Sequence, residues 1–468
     1  MAAIGVPSLP SIMEMSPQEI VEEASKGRLK VAVVGCGWMG LPTALLFAEA
    51  GVKVIGVVKD EDEAEKLNRG ESTIAEPGVE ELLRKHLGSG AFKATTDTKT
   101  ATAQTDASLI IVPTLVGKGK RPDYSAVIDA CRGIGRGLRR GCLVILESTV
   151  GPGITEELVK PELEAYSGLK AGKDFGLAYS PIRASAGTVL RDLASYPRIV
   201  AGIDERSFEK AAALLSLIVK GGIIKVRDLK TAEAVKLFEN IYRDVNIALA
   251  NQLALFCEAA GIDVAEAFNA ANTQPHCHLH KPGVGVGGHC LPSNPYFLLE
   301  RARKLKVNLD LVRLARRIND SMPMHTIRLI TAALRSCGKT LKGSHVAVLG
   351  ASFKEDIKEA RYSPSIQIAE KLMRRGVKVT LYDPYFASHE LNVPGVKVAD
   401  SIDDCVRGAD CVLIAVAHSA FKQLDVARLA KLVNMPAALV DGKQVVKPEE
   451  ARKVGFLYAG VGRGLLVA

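Results

Sequence analysis

The chain has 468 residues, 47% apolar and 24% charged, an ordinary globular composition too long for one core and in keeping with about three domains. No uninterrupted apolar run reaches the roughly 20 residues of a membrane span. The net charge of +9 is spread along the chain. Its densest clusters, Arg136 to Arg140 and Arg313 to Arg317, fall in helix-like stretches without a recognition motif or interleaved aromatics. Nucleic acid is therefore not an expected partner, and a basic phosphate pocket would suffice to use the charge.

Residues 1–28 read as a polar, partly helical lead-in. The first 25 carry no Lys or Arg and so lack the basic start of a signal peptide. Nine cysteines without paired spacing fit a reducing compartment. The expected location is the cytoplasm, with no membrane partner.

From Leu29 the pattern is strand, glycine turn, helix, strand: KVAVV, GCGWMG, a Leu/Ala-rich helix through Ala50, then VKVIGVV. Gly35, Gly37 and Gly40 form G-x-G-x-x-G between strand and helix, the context dinucleotide binding requires. The first glycine turns the chain, the second admits the pyrophosphate, the third lets helix pack on strand, and the helix N-terminus stabilises the phosphates. The expected cofactor set is Gly35, Gly37, Trp38, Met39 and Gly40, with Lys59 and Thr114. Val58 stands where an acid should hold the ribose hydroxyls. Either Asp60 takes that role or Lys59 accommodates a 2′-phosphate, which leaves NAD and NADP both open. Further buried strands are expected at LIIVP (109–113), CLVILES (142–148) and FGLAYSP (175–181). Residues 29–228 thus read as a parallel, doubly wound domain.

A continuous helical pattern is expected from about Thr231 to Ala271, with Leu237, Ile241, Val245 and Leu249 at four-residue spacing. Lys236 and Asn240 share one face, with Arg243 and Asn246 close to it. Apolar neighbours suggest that this Lys and Asn are partly buried, and burial demands a partner. A second strand–helix series begins at Ser344 with HVAVLG and lacks a full glycine fingerprint. The predicted fold is α/β: two Rossmann-like doubly wound parallel-sheet domains (29–228 and 341–468) joined by a helical central domain (229–340).

Within that middle lies PGVGVGGHCLP, Pro282 to Pro292. Gly283, Gly285, Gly287 and Gly288 let backbone amides approach a ligand directly before Cys290, a potential nucleophile that needs a cation or base nearby. His276, Cys277, His278 and His280, with His289 and Cys290, raise a zinc alternative. Their spacing matches no standard structural site, and no metal is expected.

The segments GCGWMGLPTA, GESTIAEPGVEELL, ESTVGPGIT, KLFENIYRDVNIALAN, PGVGVGGHCLP, GASFKEDIKEARYSPS and YDPY resemble, in order, the nucleotide-sugar 6-dehydrogenases. The branch most similar in wording is the UDP-N-acetyl-mannosamine dehydrogenases, with UDP-glucose dehydrogenases as relatives. The resemblance runs from about Lys30 to Gly464. It implies two NAD-dependent oxidations at the sugar C6 through a Cys290 thiohemiacetal and thioester, in a homodimer joined by the middle helices. It implies that Lys236 and Asn240 stabilise the C6 oxygen and that Thr149 lies near the reacting water. Arg243, Gly283, Gly285, Lys354, Arg361 and Lys443 match substrate positions, Lys443 standing where relatives often carry Arg. The substrate is expected to be UDP-N-acetyl-mannosamine, with UDP-glucose or UDP-N-acetylglucosamine as alternatives. Four positions depart from the pattern. Pro-Glu-Arg becomes Pro181-Ile182-Arg183, an Asp four residues after the cysteine becomes Asn294, Pro-Arg becomes Pro275-His276, and Val58 replaces the acid. These departures motivate a rival reading, a repurposed paralogue with an impaired hydrolysis step.

Overall fold

The computed structural model describes residues 11–117 and 119–466, so the first ten positions of the lead-in lie outside the described residues. The chain divides into two compact units, 1–238 with 296–306, and 239–295 with 307–468.

The strands of the first unit are β1 Lys30–Val34, β2 Lys53–Val57, β3 Phe92–Thr95, β4 Ala107–Ile110, β5 Leu115–Val116, β6 Pro122–Asp123, β7 Leu143–Leu146, β8 Gly176–Tyr179, β9 Arg198–Gly202 and β10 Ile223–Lys225. Eight of them form one sheet, in the order β10-β9-β8-β7-β4-β1-β2-β3, while β5 and β6 pair as a small ribbon. Val31 to Val34 are all buried, as expected where helices cover both faces of a parallel sheet. β1 sits between β2 and β4, which places the switch point of the double winding at its carboxyl end.

Two expectations need correction here. The sheet is mixed, because β8 and β9 pair antiparallel. The lead-in is less polar than its composition implied: Ile12, Met13, Met15, Ile20 and Ala24 are buried in the core of this unit. Ile20 and Ala24 are presented by the helix Pro17–Ser25, which Ser16 and Glu19 close with a capping box, and Ile12, Met13 and Met15 by the segment before it.

The second unit holds β11 His345–Leu349, β12 Lys378–Tyr382, β13 Lys397–Val398, β14 Cys411–Ile414, β15 Ala438–Asp441, β16 Leu457–Gly460 and β17 Gly464–Leu466, in the order β13-β12-β11-β14-β15-β16-β17. Only β17 runs antiparallel to its neighbour. β11, between β12 and β14, is again the switch strand. The middle of the chain is helical, with Leu229–Ala260, Val264–Ala271, Asn294–Lys304 and Asp310–Ser336. The continuous helix expected to Ala271 is therefore broken. Gly261 takes a left-handed φ of +69°, and Asp263 caps the next helix through the amides of Ala265 and Glu266. Among the described residues, no helix is long and apolar enough to cross a membrane.

Candidate active site

In the first unit the glycine turn meets each steric demand of the fingerprint. Gly35 has φ +100°, and a Cβ there would lie 2.5 Å from the Ile111 carbonyl oxygen; a Cβ on Gly40 would lie 1.9 Å from the Gly35 oxygen. Both are glycine for reasons internal to the fold. A Cβ on Gly37 would meet nothing within 4 Å, which leaves open space where a pyrophosphate would lie. These residues therefore fit a dinucleotide. Trp38 and Met39 are half-buried against the apolar core, and Thr114, half-buried, immediately precedes β5. Val58 is buried in the same core, whereas Lys59 is exposed. Asp60 accepts from the Glu63 amide at 3.2 Å and caps the helix Glu61–Asn68.

Thr149 is half-buried in the segment after β7. The neighbouring Ser148 hydroxyl donates to the Val112 carbonyl at 2.7 Å. Beyond Thr149 the chain is gripped by Glu233, whose carboxylate accepts from the Gly153 amide at 2.5 Å and from the amide and hydroxyl of Thr155 at 2.7 and 2.6 Å. Burial pushes the Glu233 pKa up to about 7 against the pull of those donors. One turn further along the helix, the Lys236 ammonium donates to the Ile182 carbonyl at 2.6 Å. The lysine is part-buried with a partner, as its apolar neighbours predicted. Ile182, where a carboxylate was expected to be missing, turns its side chain into the apolar core.

In the second unit the cysteine loop is fixed at both ends. The Gly283 amide donates to Asn251 Oδ1 at 2.9 Å, and the Gly288 amide donates to the Arg361 carbonyl at 3.2 Å. Gly283 lies against Lys443, whose ammonium would sit 2.6 Å from a Cβ placed there. Gly285 packs on Pro364 and Pro323. Four expected substrate residues, Gly283, Gly285, Arg361 and Lys443, are thus gathered around one loop. Arg361 holds Glu359 in a fork, Nε to Oε1 at 3.0 Å and Nη2 to Oε2 at 2.6 Å. Burial pushes the Lys443 pKa down, opposed by Glu355. Lys354 and Arg243 are exposed.

Cys290 is exposed at the end of this loop. A hydrogen bond to Cys290, opposed by burial, holds the His289 pKa above its ordinary value. The adjoining imidazole therefore lies within hydrogen-bond reach of the thiol. Asn294 opens its helix with its amide donating to the Cys290 carbonyl at 2.8 Å. Asn240 and Asn294 are 8% and 4% exposed. The buried Asn240 Nδ2, Asn294 Nδ2 and His289 Nδ1 find no hydrogen-bond partner among the described residues. Such atoms call for a polar partner from outside the chain, water or ligand.

Sequence reasoning passed over Glu233 and the hydrogen bond between His289 and Cys290. Glu233 was findable as an acid in register with Leu237 and Asn240 on the buried stripe of its helix. Among the described residues, no group of three or more His, Cys, Asp or Glu could hold a metal.

Residues 29–218, 230–321 and 347–448 match the NAD binding, central and UDP binding domains of the UDP-glucose/GDP-mannose dehydrogenase family. The chain is 38% identical to a UDP-N-acetyl-D-mannosamine dehydrogenase from Pyrococcus horikoshii over 93% of its own length and 100% of the relative's. It is 36% identical to an NDP-N-acetyl-D-galactosaminuronic acid dehydrogenase from Ralstonia nicotianae, over 86% of this chain and 94% of that one. The solved structure of a UDP-D-ManNAc dehydrogenase from Pyrococcus horikoshii superposes with a TM-score of 0.85 at 36% identity, covering 93% of this chain and 100% of that one.

Proposed function

The chain belongs to the UDP-glucose/GDP-mannose dehydrogenase family, and we propose that it oxidises UDP-N-acetyl-D-mannosamine at C6, through the aldehyde, to the uronate. It is an NAD-dependent oxidoreductase. The observation that carries the substrate reading is the loop Gly283–Cys290, which lies against Lys443 at Gly283, bonds the Arg361 carbonyl at Gly288 and ends in an exposed thiol beside His289.

In this reading Lys443, Arg361, Lys354 and Arg243 bring positive charge to the diphosphate, and Gly283 and Gly285 let it approach the backbone. Gly35, Gly37 and Gly40 hold NAD, which supplies the hydride acceptor for both oxidations. Lys236 and Asn240 stabilise the oxygen on C6 as negative charge develops there. Cys290 Sγ adds to the aldehyde carbon while His289 takes the thiol proton, forming a thiohemiacetal. After the second oxidation the same carbon is a thioester, which water opens to carboxylate and thiol. The protein acts in the cytoplasm as a homodimer. The exposed Tyr242, Leu249 and Phe256, at seven-residue spacing on one helix, supply an apolar stripe for such a contact. The functional division runs 1–28, 29–228, 229–340 and 341–468.

A second reading, a binding paralogue that stalls before hydrolysis, is favoured by the burial of the Ile182 side chain in the apolar core, where it cannot accept a proton. The test is NADH release against UDP-N-acetyl-mannosamine, UDP-glucose and UDP-N-acetylglucosamine, with mass analysis of the product. Fastest release on the first sugar, with uronate formed, supports the proposal. Preference for another sugar, or binding without release, overturns it.

A further inference from the structure

A chain of buried polar groups unused by the chemistry runs through the second unit and ends on the cysteine loop. Arg316 Nη1 donates to Asp244 Oδ1 at 2.5 Å. Asn319 Nδ2 donates to that oxygen and to the Asp244 carbonyl at 2.8 and 2.9 Å. Asn251 Nδ2 donates to Asn319 Oδ1 at 2.9 Å, and Asn251 Oδ1 accepts from the Gly283 amide at 2.9 Å. All four residues are at most 2% exposed.

Every amide orientation in this chain is dictated. The Gly283 N–H can only donate, so Asn251 must present its oxygen to it. Asn251 then has only its NH₂ for Asn319, which must answer with oxygen and turn its own NH₂ to Asp244. The Asp244 carboxylate, held by Arg316, accepts everything that reaches it. No member can flip without setting donor against donor or acceptor against acceptor. The side-chain amides of Asn251 and Asn319 are thus paired along a single donor–acceptor direction, whereas Asp244 Oδ2 and Arg316 Nε find no partner among the described residues; a directional buried run of this kind fixes one backbone position.

We propose that Asn251 is a positioning residue for the reaction: backed by Asn319 and Asp244, it sets Gly283 against Lys443 and so holds the loop that carries Cys290. The kinetic part of this inference rests on the function proposed above, whereas the mechanical part does not.

The test compares wild type with Asn251→Ala, Asn251→Asp and, as a control, Val346→Ala, a fully buried core change in the sheet of the same unit. In Asn251→Asp the new carboxylate faces the Asn319 oxygen, so the isosteric change should be at least as harmful as alanine. Losing one buried hydrogen bond corresponds to a loss of about tenfold, expected as a rise in KM for the UDP-sugar with KM for NAD unchanged. Iodoacetamide alkylation of Cys290 in the substrate-free protein should change several-fold in the Asn251 variants and not in Val346→Ala. If Asn251→Ala does not fold, Asn319→Ala reads the same network one link further away. Alkylation rates matching Val346→Ala in every Asn variant would overturn the proposal. A protein that oxidises no nucleotide sugar defeats the functional reading alone, because alkylation still decides the mechanical one.

Discussion

The Lys236 ammonium donates to the backbone carbonyl of Ile182 at 2.6 Å, although residue 182 lacks the carboxylate that the resemblance to nucleotide-sugar 6-dehydrogenases implies for its motif. The contact explains how the motif can lose its acid and still hold the lysine. A carbonyl oxygen comes from any residue type, so the Ile182 side chain is free to enter the apolar core. The lysine's position survives the substitution, but a proton acceptor does not. Consequences for rate should therefore appear in the step that needs a base, and not in steps that need only the cation.

In the proposed reaction that step is thioester opening. The Asn294 backbone N–H donates to the Cys290 carbonyl, and its side chain cannot accept a proton from water. A positioned general base contributes about 10²–10⁴-fold. A burst of NADH, slow turnover and an intact-mass adduct on Cys290 are expected, with faster steady-state turnover in Asn294→Asp. Linear NADH release from the first turnover, with no adduct, would refute this.

The nucleophile and its neighbour can be separated. Cys290→Ser should form no uronate, since a hydroxyl in the same place lacks the thiolate's nucleophilicity. In His289→Ala the hydrogen bond that holds the imidazole's pKa up is gone, and its reciprocal benefit to the sulfur goes with it. Alkylation of Cys290 near neutral pH should slow about tenfold. An unchanged alkylation rate would remove His289 from the mechanism.

Cofactor choice follows from Val58. A carboxylate at this position repels a 2′-phosphate, and here Val58 lies in the apolar core, Asp60 is engaged as a cap and Lys59 is exposed. Discrimination against NADP should be weaker than in acid-bearing relatives, and Val58→Asp should strengthen it. Equal NAD:NADP ratios of kcat/KM in the two proteins count against the idea.

The fold was legible because its signals are local. The strand–glycine–helix pattern at Val31 to Gly40 is contiguous, and so is the apolar run of β11. The break at Gly261 was missed, because helical periodicity on either side hid a glycine and an aspartate cap. In the site, Lys236, Asn240 and Cys290 could be read from helical spacing and from glycines. The contacts of Asn251 with Asn319, 68 positions away, and of Glu233 with Thr155, 78 positions away, leave no local pattern. Neither does the carbonyl of Ile182, because a sequence displays side chains and this contact uses backbone. Only the fold brings such pairs together.

Glu233 makes the last prediction, and its sign can be worked out. Its carboxyl is fully buried, and burial raises the pKa from 4.5 to about 7 in the folded protein. In the unfolded chain the group loses its proton at the ordinary value. Between the two values the folded protein keeps a proton that the unfolded chain has released. The stabilising contribution is therefore complete below about 4.5 and is lost as the pH rises through about 7. At about 1.4 kcal/mol per unit, the whole window is worth about 3 kcal/mol. Glu233→Gln exchanges no proton here, so its melting temperature should fall less than that of wild type between about pH 5 and about pH 8. The same variant turns an NH₂ toward one of the donors from Gly153 and Thr155, loosens the segment after Thr149, and should lower kcat/KM about tenfold. Parallel melting curves against pH for the two proteins would show that Glu233 is ionised throughout, held so by its three donors.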